Sequence, residues 1–341
     1  MRPHDPELWN NFGAYEQQHG RIDQAITAFE TALELDPENY DAARNFANVI
    51  WAARGDRSRA IELFDIALKN PDLAHRRETL AHRAGWAAFR DREIETARSL
   101  YAEALNGELL PNVAASWARM VIVFEPPESL ATIEPVIDEI LLTAPRHVTA
   151  ISLKAMCMWW LHGNIEDAKL LVLNALDEFP EDQTLLSTSV HLSLAEGNLD
   201  LAESLLPRLE KVVGREDSEE ISSYRAMLGI CRGRSLSEVA ALLNDLASHD
   251  NLNNLAILLW AQGRDAECAD LVGRISTEPL GYQGRVELDI LKRLIGGVKD
   301  YADLAGQLLD PTGLRALAAH PELSESRRHQ LHLVLDVVSP A

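Results

Sequence analysis

The chain has 341 residues, a formal net charge of -21, 47% hydrophobic residues and 25% charged residues. That length exceeds what one hydrophobic core ordinarily organises, so the chain splits into domains or stacks repeats. The composition is that of a folded protein, and charge this negative repels phosphate backbones and anionic lipids, which sets nucleic acid and membrane aside as partners.

The first element is a pair of helices. Trp9, Phe12-Gly13 and Tyr15 mark its first helix, and Gly20 ends it with a residue suited to positive φ. Ala25, Phe29 and Ala32 mark the second, which Asp36-Pro37 stops. The small Gly13 and Ala25 let the two helices cross closely, and Phe29 fills the gap between hairpins. The pattern returns in order: Phe46-Ala47, Gly55, Ala60, Phe64 and Ala67; then Gly85-Trp86, Ala97, Tyr101 and Ala104. A degenerate fourth unit has Trp117 and Val121, then Ile133, Ile137 and Ile140, broken by Glu125-Pro126-Pro127-Glu128. Gly163, Ala168 and Val172 mark a fifth; Gly197, Ala202 and Leu206 a sixth. Gly233, Val239 and Leu243 mark a seventh; Leu255-Ala256, Gly263, Cys268 and Val272 an eighth. A weak ninth pair runs from Tyr282 through Gly296-Gly297 to Leu309 and Asp310-Pro311.

These residues at a period of about 34 resemble the tetratricopeptide repeat. The expected fold is all-α, a right-handed superhelical solenoid of about eight to nine such hairpins. The array is expected over 6–311, with a hinge near 125–128. Residues 312–341 are expected to form a helical cap, with 323–338 as one helix and Leu331, Val334 and Leu335 on one face.

The resemblance implies that first helices line a concave groove that binds a protein or an extended peptide segment. The polar residues that the apolar pattern leaves on those helices are Asn10, Asn11, Gln17, Arg44, Asn45, Asn48, His82, Arg83, Arg119, Lys154, Thr188, His191, Tyr224, Asn253 and Asn254. An Asn can donate and accept at once, so it can pair with a ligand backbone. Asn11, Asn45 and Asn254 each precede an apolar–small pair. They resemble a broken form of the Asn ladder in O-linked N-acetylglucosamine transferases. The plainer reading is that they brace neighbouring helices. Arg83, Arg119 and Lys154 suggest a basic strip able to take a carboxylate or phosphate. Asn45 and Arg83 fit the carboxylate clamp of co-chaperones, but Asn10, Ala14 and Thr79 stand where it needs Lys, Asn and Lys.

No nucleophile, dinucleotide, Walker or zinc-protease motif is present, so no catalytic residue and no cofactor is assigned and the chain is read as a non-enzyme. His329 and His332 lie a turn apart without a third ligand, and no metal is expected. Cys157, Cys231 and Cys268 form no CxxC pair. Each lies in an apolar helical pattern, where a buried free thiol is expected. A reducing compartment suits them, which gives a cytoplasmic expectation. That the cationic residues are more often Arg than Lys suggests a bacterial source. The N-terminal residues lack an apolar signal core, and the longest apolar runs, such as 255–261, are too short to span a bilayer. The run Glu216-Asp217-Ser218-Glu219-Glu220 reads as a solvated loop starting a helix.

Three functions fit these observations. The first is a scaffold or adaptor that binds a partner protein in the groove. The second is an acidic regulatory subunit masking a basic enzyme or DNA-binding protein. The third is an interaction module for an enzyme on a separate chain, which a first repeat with no preceding cap would suit. Open array ends also allow self-association.

Overall fold

The computed structural model describes residues 4–213, 218–244, 246 and 248–338. Of the acidic run at 216–220, Glu216 and Asp217 lie outside them, and the helix begins at Ser218. The described residues form helices joined by short turns, with no strand among them. In order these are α1 (Pro6–Gln18), α2 (Ile22–Leu35), α3 (Tyr40–Arg54), α4 (Arg57–Ala67), α5 (Leu73–Phe89), α6 (Ile94–Ala104) and α7 (Pro111–Phe124). There follow α8 (Leu130–Thr143), α9 (Val148–His162), α10 (Ile165–Glu178), α11 (Gln183–Glu196), α12 (Leu199–Val212), α13 (Ser218–Cys231) and α14 (Leu236–Ala241). The last are α15 (His249–Ala261), α16 (Asp265–Arg274), α17 (Tyr282–Gly296), α18 (Thr312–Ala319) and α19 (Glu325–Val338). No helix of the described residues is long and apolar enough to cross a membrane.

The chain divides into two compact units, 1–117 and 118–341, with the division inside α7. The Pro126-Pro127 break lies within the second unit, as a single 3-10 turn over Pro127–Ser129.

In unit 1, α1 packs on α2, α3 on α4 and α5 on α6, as hairpins, and α1 also touches α3. Gly13 shows why a small residue is needed: a Cβ there would lie 2.6 Å from Phe29 Cε1. The Phe29 ring, fully buried, also stacks on Phe46 of the next hairpin at 6.4 Å. One side chain therefore closes its own hairpin and welds it to the next. Gly20 follows α1 at φ 70°, the left-handed conformation that favours glycine. Asp5, Asn39, Asp56 and Asp72 cap α1, α3, α4 and α5 by accepting from first-turn N–H groups.

In unit 2 the hairpins α9–α10, α11–α12, α13–α14 and α15–α16 follow the same rule. The first helices again touch in sequence, α9 with α11, α11 with α13, and α15 with α17. Gly229 on α13 repeats the role of Gly13, since a Cβ there would meet Val239 Cγ2 at 2.9 Å.

The end of the array departs from the expected pattern. The ninth pair is not a hairpin: α17 is followed only by a 3-10 turn over Ala302–Leu304. Gly306 at φ 68° and Pro311 break the second helix before it can form. The helix expected over 323–338 is α19, and a further short helix, α18, precedes it in the cap. Leu331, Val334 and Val338 of α19 are buried, while Leu335 is only partly so. Unit 2 also joins α17 back to α7. Arg285 Nη2 on α17 donates to the Phe124 carbonyl at 2.8 Å, and Gly281 lies so close that a Cβ would meet the Val123 carbonyl oxygen at 2.9 Å.

Cys157 and Cys268 are buried, as expected; Cys231 is only half-buried, because it sits in the last turn of α13. His329 and His332 are exposed on α19.

Candidate functional site

In unit 1 the first helices α1, α3 and α5 bring Asn10, Arg44, Asn45, Asn48 and His82 together. Asn45 Nδ2 donates to Asn10 Oδ1 at 3.0 Å, and Asn48 Oδ1 accepts from Trp86 Nε1 at 2.7 Å. These amides brace successive first helices, the plainer of the two readings of the Asn positions. Asn11 and Gln17 are exposed and take no part in that bracing. Arg44 is held between carboxylates, with Asp41 at 2.8 Å and Glu78 at 3.2 Å. Beside it His75 is pushed toward the neutral form by burial and by the Arg44 charge. Arg44, Glu78, His82, Asn112 and Ser116 line a recess of about 430 Å³. Asn112 was not among the residues singled out from the sequence. Its position one residue into α7, before the apolar pattern of that helix starts, left no signal.

The basic strip is largely neutralised within the chain. Arg83 turns back to Asp65 of α4 at 3.0 Å. Lys154 sits between Glu134 and Asp138 of α8, at 3.0 and 2.7 Å. Both salt bridges run from a first helix to the second helix before it, so these cations stiffen hairpin joints. Arg119 is exposed on α7.

In unit 2 the singled-out residues are engaged by the chain itself. Thr188 Oγ1 meets Ser152 Oγ at 2.6 Å, and Tyr224 Oη meets Ser187 Oγ at 2.9 Å. Asn253 is buried, with Nδ2 donating to the Gly284 carbonyl at 3.3 Å. His191 reaches Asp310, 2.6 Å from Nε2 to Oδ2, across 119 positions of chain. Its imidazole also meets the Trp159 ring edge-on at 5.4 Å. Burial alone would lower the basicity of His191; the Asp310 carboxylate overrides it and raises the pKa. Asp310 resists burial in the same way, held below its ordinary range by His191 and by the N–H of Thr312. Gln283, which the sequence did not single out, pairs with both backbone groups of Asp310. Its Nε2 donates to the Asp310 carbonyl at 2.8 Å and its Oε1 accepts from the Asp310 N–H at 3.3 Å. This is the amide-to-backbone recognition expected of the Asn positions, delivered by a Gln to the chain's own segment. Asn254 lines a cavity between α15 and α18.

The thiols are poor nucleophiles. Burial pushes Cys157 up to about 12 and Cys268 up to about 11, and Cys268 donates to the Ala256 carbonyl.

The comparisons with known proteins bear on this architecture. Residues 6–39 match the family model described as tetratricopeptide repeat. These residues of the chain form a tetratricopeptide repeat, and the later hairpins follow the same helix–turn–helix pattern. Among solved structures, IFIT1 with Gppp-AAAA is 15% identical, with a TM-score of 0.53, over 86% of this chain and 71% of that one. PilF of Pseudomonas aeruginosa is 18% identical, with a TM-score of 0.45, over 65% and 96%. A tetratricopeptide repeat protein of Parabacteroides merdae is 17% identical, with a TM-score of 0.43, over 76% and 98%. These likenesses concern the fold alone. No curated protein matches by sequence.

Proposed function

We propose that this chain is a protein-binding scaffold whose receptor surface is the first-helix face of unit 1. The observation that supports it is the recess between α3, α5 and α7, where Arg44, Glu78, His82 and Asn112 offer donors and acceptors at one open place. Such alternating groups suit the backbone and polar side chains of a partner segment better than a small apolar ligand. The charge of -21 favours a partner segment with basic character at its margins. The three free thiols suit a reducing, cytoplasmic setting. The reading is of binding rather than catalysis, in keeping with thiols that burial holds in the protonated form.

The test is recovery of a partner with the tagged full-length chain, compared between wild type and a variant carrying Arg44→Ala, His82→Ala and Asn112→Ala. Recovery should fall about tenfold, the loss of one or two good polar contacts. It should not change in a control with Leu170→Ser, a residue exposed on the second helix α10. Equal recovery from the triple variant would overturn the placement.

A further inference from the structure

The first-helix face of unit 2 is already seated with a segment of chain. Residues 307–310 run along it and are held as a peptide ligand would be. Tyr282 Oη donates to Gln307 Oε1, Gln283 reads both backbone groups of Asp310, and His191 takes the Asp310 carboxylate. The helix α18 then lies against α13, with Leu314 and Leu317 buried and Gly313 so close to Met227 that a Cβ would lie 3.0 Å from its Cε. We infer that this face is a receptor for a partner's short amphipathic helix led by an acidic residue, and that residues 307–319 occupy it in cis.

Three observations distinguish an occupant from a permanent piece of core. First, the fit is incomplete. A cavity of about 90 Å³ lies between α18 and the first helices, lined by Ser223, Ile230, Leu243, Ile257 and Glu287 among others. About 15 Å³ suffices for one water, so this partly open space leaves room beside the segment. Second, the segment leaves a half-buried acid beside two other carboxylates. The Glu287 carboxyl accepts from Gln283 Nε2 at 3.0 Å, while burial, with Asp310 and Asp250 nearby, pushes it up to about 7. Arg315, the cation of α18, is exposed. Third, α18 has eight residues and a glycine in its first turn. A helix so short is unstable alone and forms only on the surface that receives it.

The chemistry of a better occupant follows. It is a segment with a carboxylate before its first helical turn, to meet His191. It has apolar residues four and seven positions after that carboxylate, as Leu314 and Leu317 follow Asp310. It also has a larger apolar residue or a basic group where the cavity meets Glu287. This inference concerns unit 2 and stands apart from the partner surface proposed on unit 1.

The probe is a fluorescent peptide with the sequence of residues 307–319. The receptor is the full chain carrying Leu314→Glu and Leu317→Glu, which unseats the segment in cis. The peptide should bind this variant at least about tenfold more tightly than it binds the wild type, whose site is filled. A peptide with the same two substitutions should not bind. A variant that keeps its helical circular dichroism yet ignores the peptide overturns the inference. The wild type gives an independent check by hydrogen exchange. Amides of α18 should open at least about tenfold more often than those of α15. Equal protection would make α18 ordinary core and overturn the inference. So would a wild-type dimer that the two substitutions dissolve, since the natural occupant would then be a second copy.

Discussion

The two units use one architecture with opposite results on their first-helix faces. In unit 1 the face is polar and holds an open recess; its amides pair between neighbouring helices. In unit 2 residues 307–319 lie on the equivalent face, and His191 and Gln283 pair with that segment while Thr188 and Tyr224 pair between neighbouring helices as in unit 1. The difference arises after α17, where the chain fails to form a second helix and turns inward. A repeat that lacks its second helix thus supplies both the end of the array and the occupant of its face.

Substitutions of chemically similar amides sharpen this comparison. Gln283→Ala removes a donor and an acceptor from Asp310 at a covered place, so it should cost about 1–3 kcal/mol in denaturant unfolding of unit 2. It should also raise exchange at the α18 amides. A change near zero would mean that water replaces Gln283 and that the segment is held by its leucines alone.

The next effect is of pH. His191 has a pKa raised above 6.5 in the folded chain, so its contribution is complete below 6.5 and lost as pH rises through the raised value. Asp310 has a pKa lowered from 3.8, so its contribution is present above 3.8 and lost only as pH falls through the lowered value. Glu287, raised from 4.5 to about 7, favours the folded chain while protonated and opposes it once ionised. The groups facing this place are His191 from α11, Glu287 from α17, Asp310 and Asp250, with Tyr224 of α13 staying a neutral phenol. All the signs agree above pH 4. From about pH 4.5 to about 7 through Glu287, and on above pH 6.5 through the raised value of His191, protection of α18, corrected for intrinsic exchange, should fall. Protection that rises would show that the His191–Asp310 pair does not hold the segment.

The smallest effect belongs to unit 1. Asn45→Ala breaks one half-exposed hydrogen bond to Asn10 and should cost only about 0.5–1.5 kcal/mol. A cost as large as that of Gln283→Ala would erase the distinction between a brace and a ligand contact.

Much of the fold could be read from residue types at fixed spacing. Gly13, Ala25 and Phe29 mark a hairpin because only that combination lets two helices cross and a ring fill the joint, and these contacts are local. The inward turn was harder to read. The stretch 307–309 resembles the end of a ninth second helix, and only Gly306 and Pro311 argue otherwise. The eight residues of α18 merge with their flanks, because Leu314 and Leu317 alone make a faint period. Nothing periodic joins His191 to Asp310 or Gln283 to the same residue, since such contacts depend on how successive hairpins wind. The basic strip misled for a related reason. Arg83 and Lys154 were placed by helix position, but a long side chain also reaches the neighbouring second helix, and both found carboxylates there.

The bond from Arg285 to the Phe124 carbonyl has a mechanical consequence. A stack of hairpins joined only in sequence behaves as a spring, lengthening by small rotations at every joint. Unit 2 has α7 tied to α17, so the rotations of the hairpins between them are no longer independent and must cancel around the loop. Under tension it should hold its length until that tie and the contact at Gly281 give way, and then extend abruptly, a clasp rather than a coil.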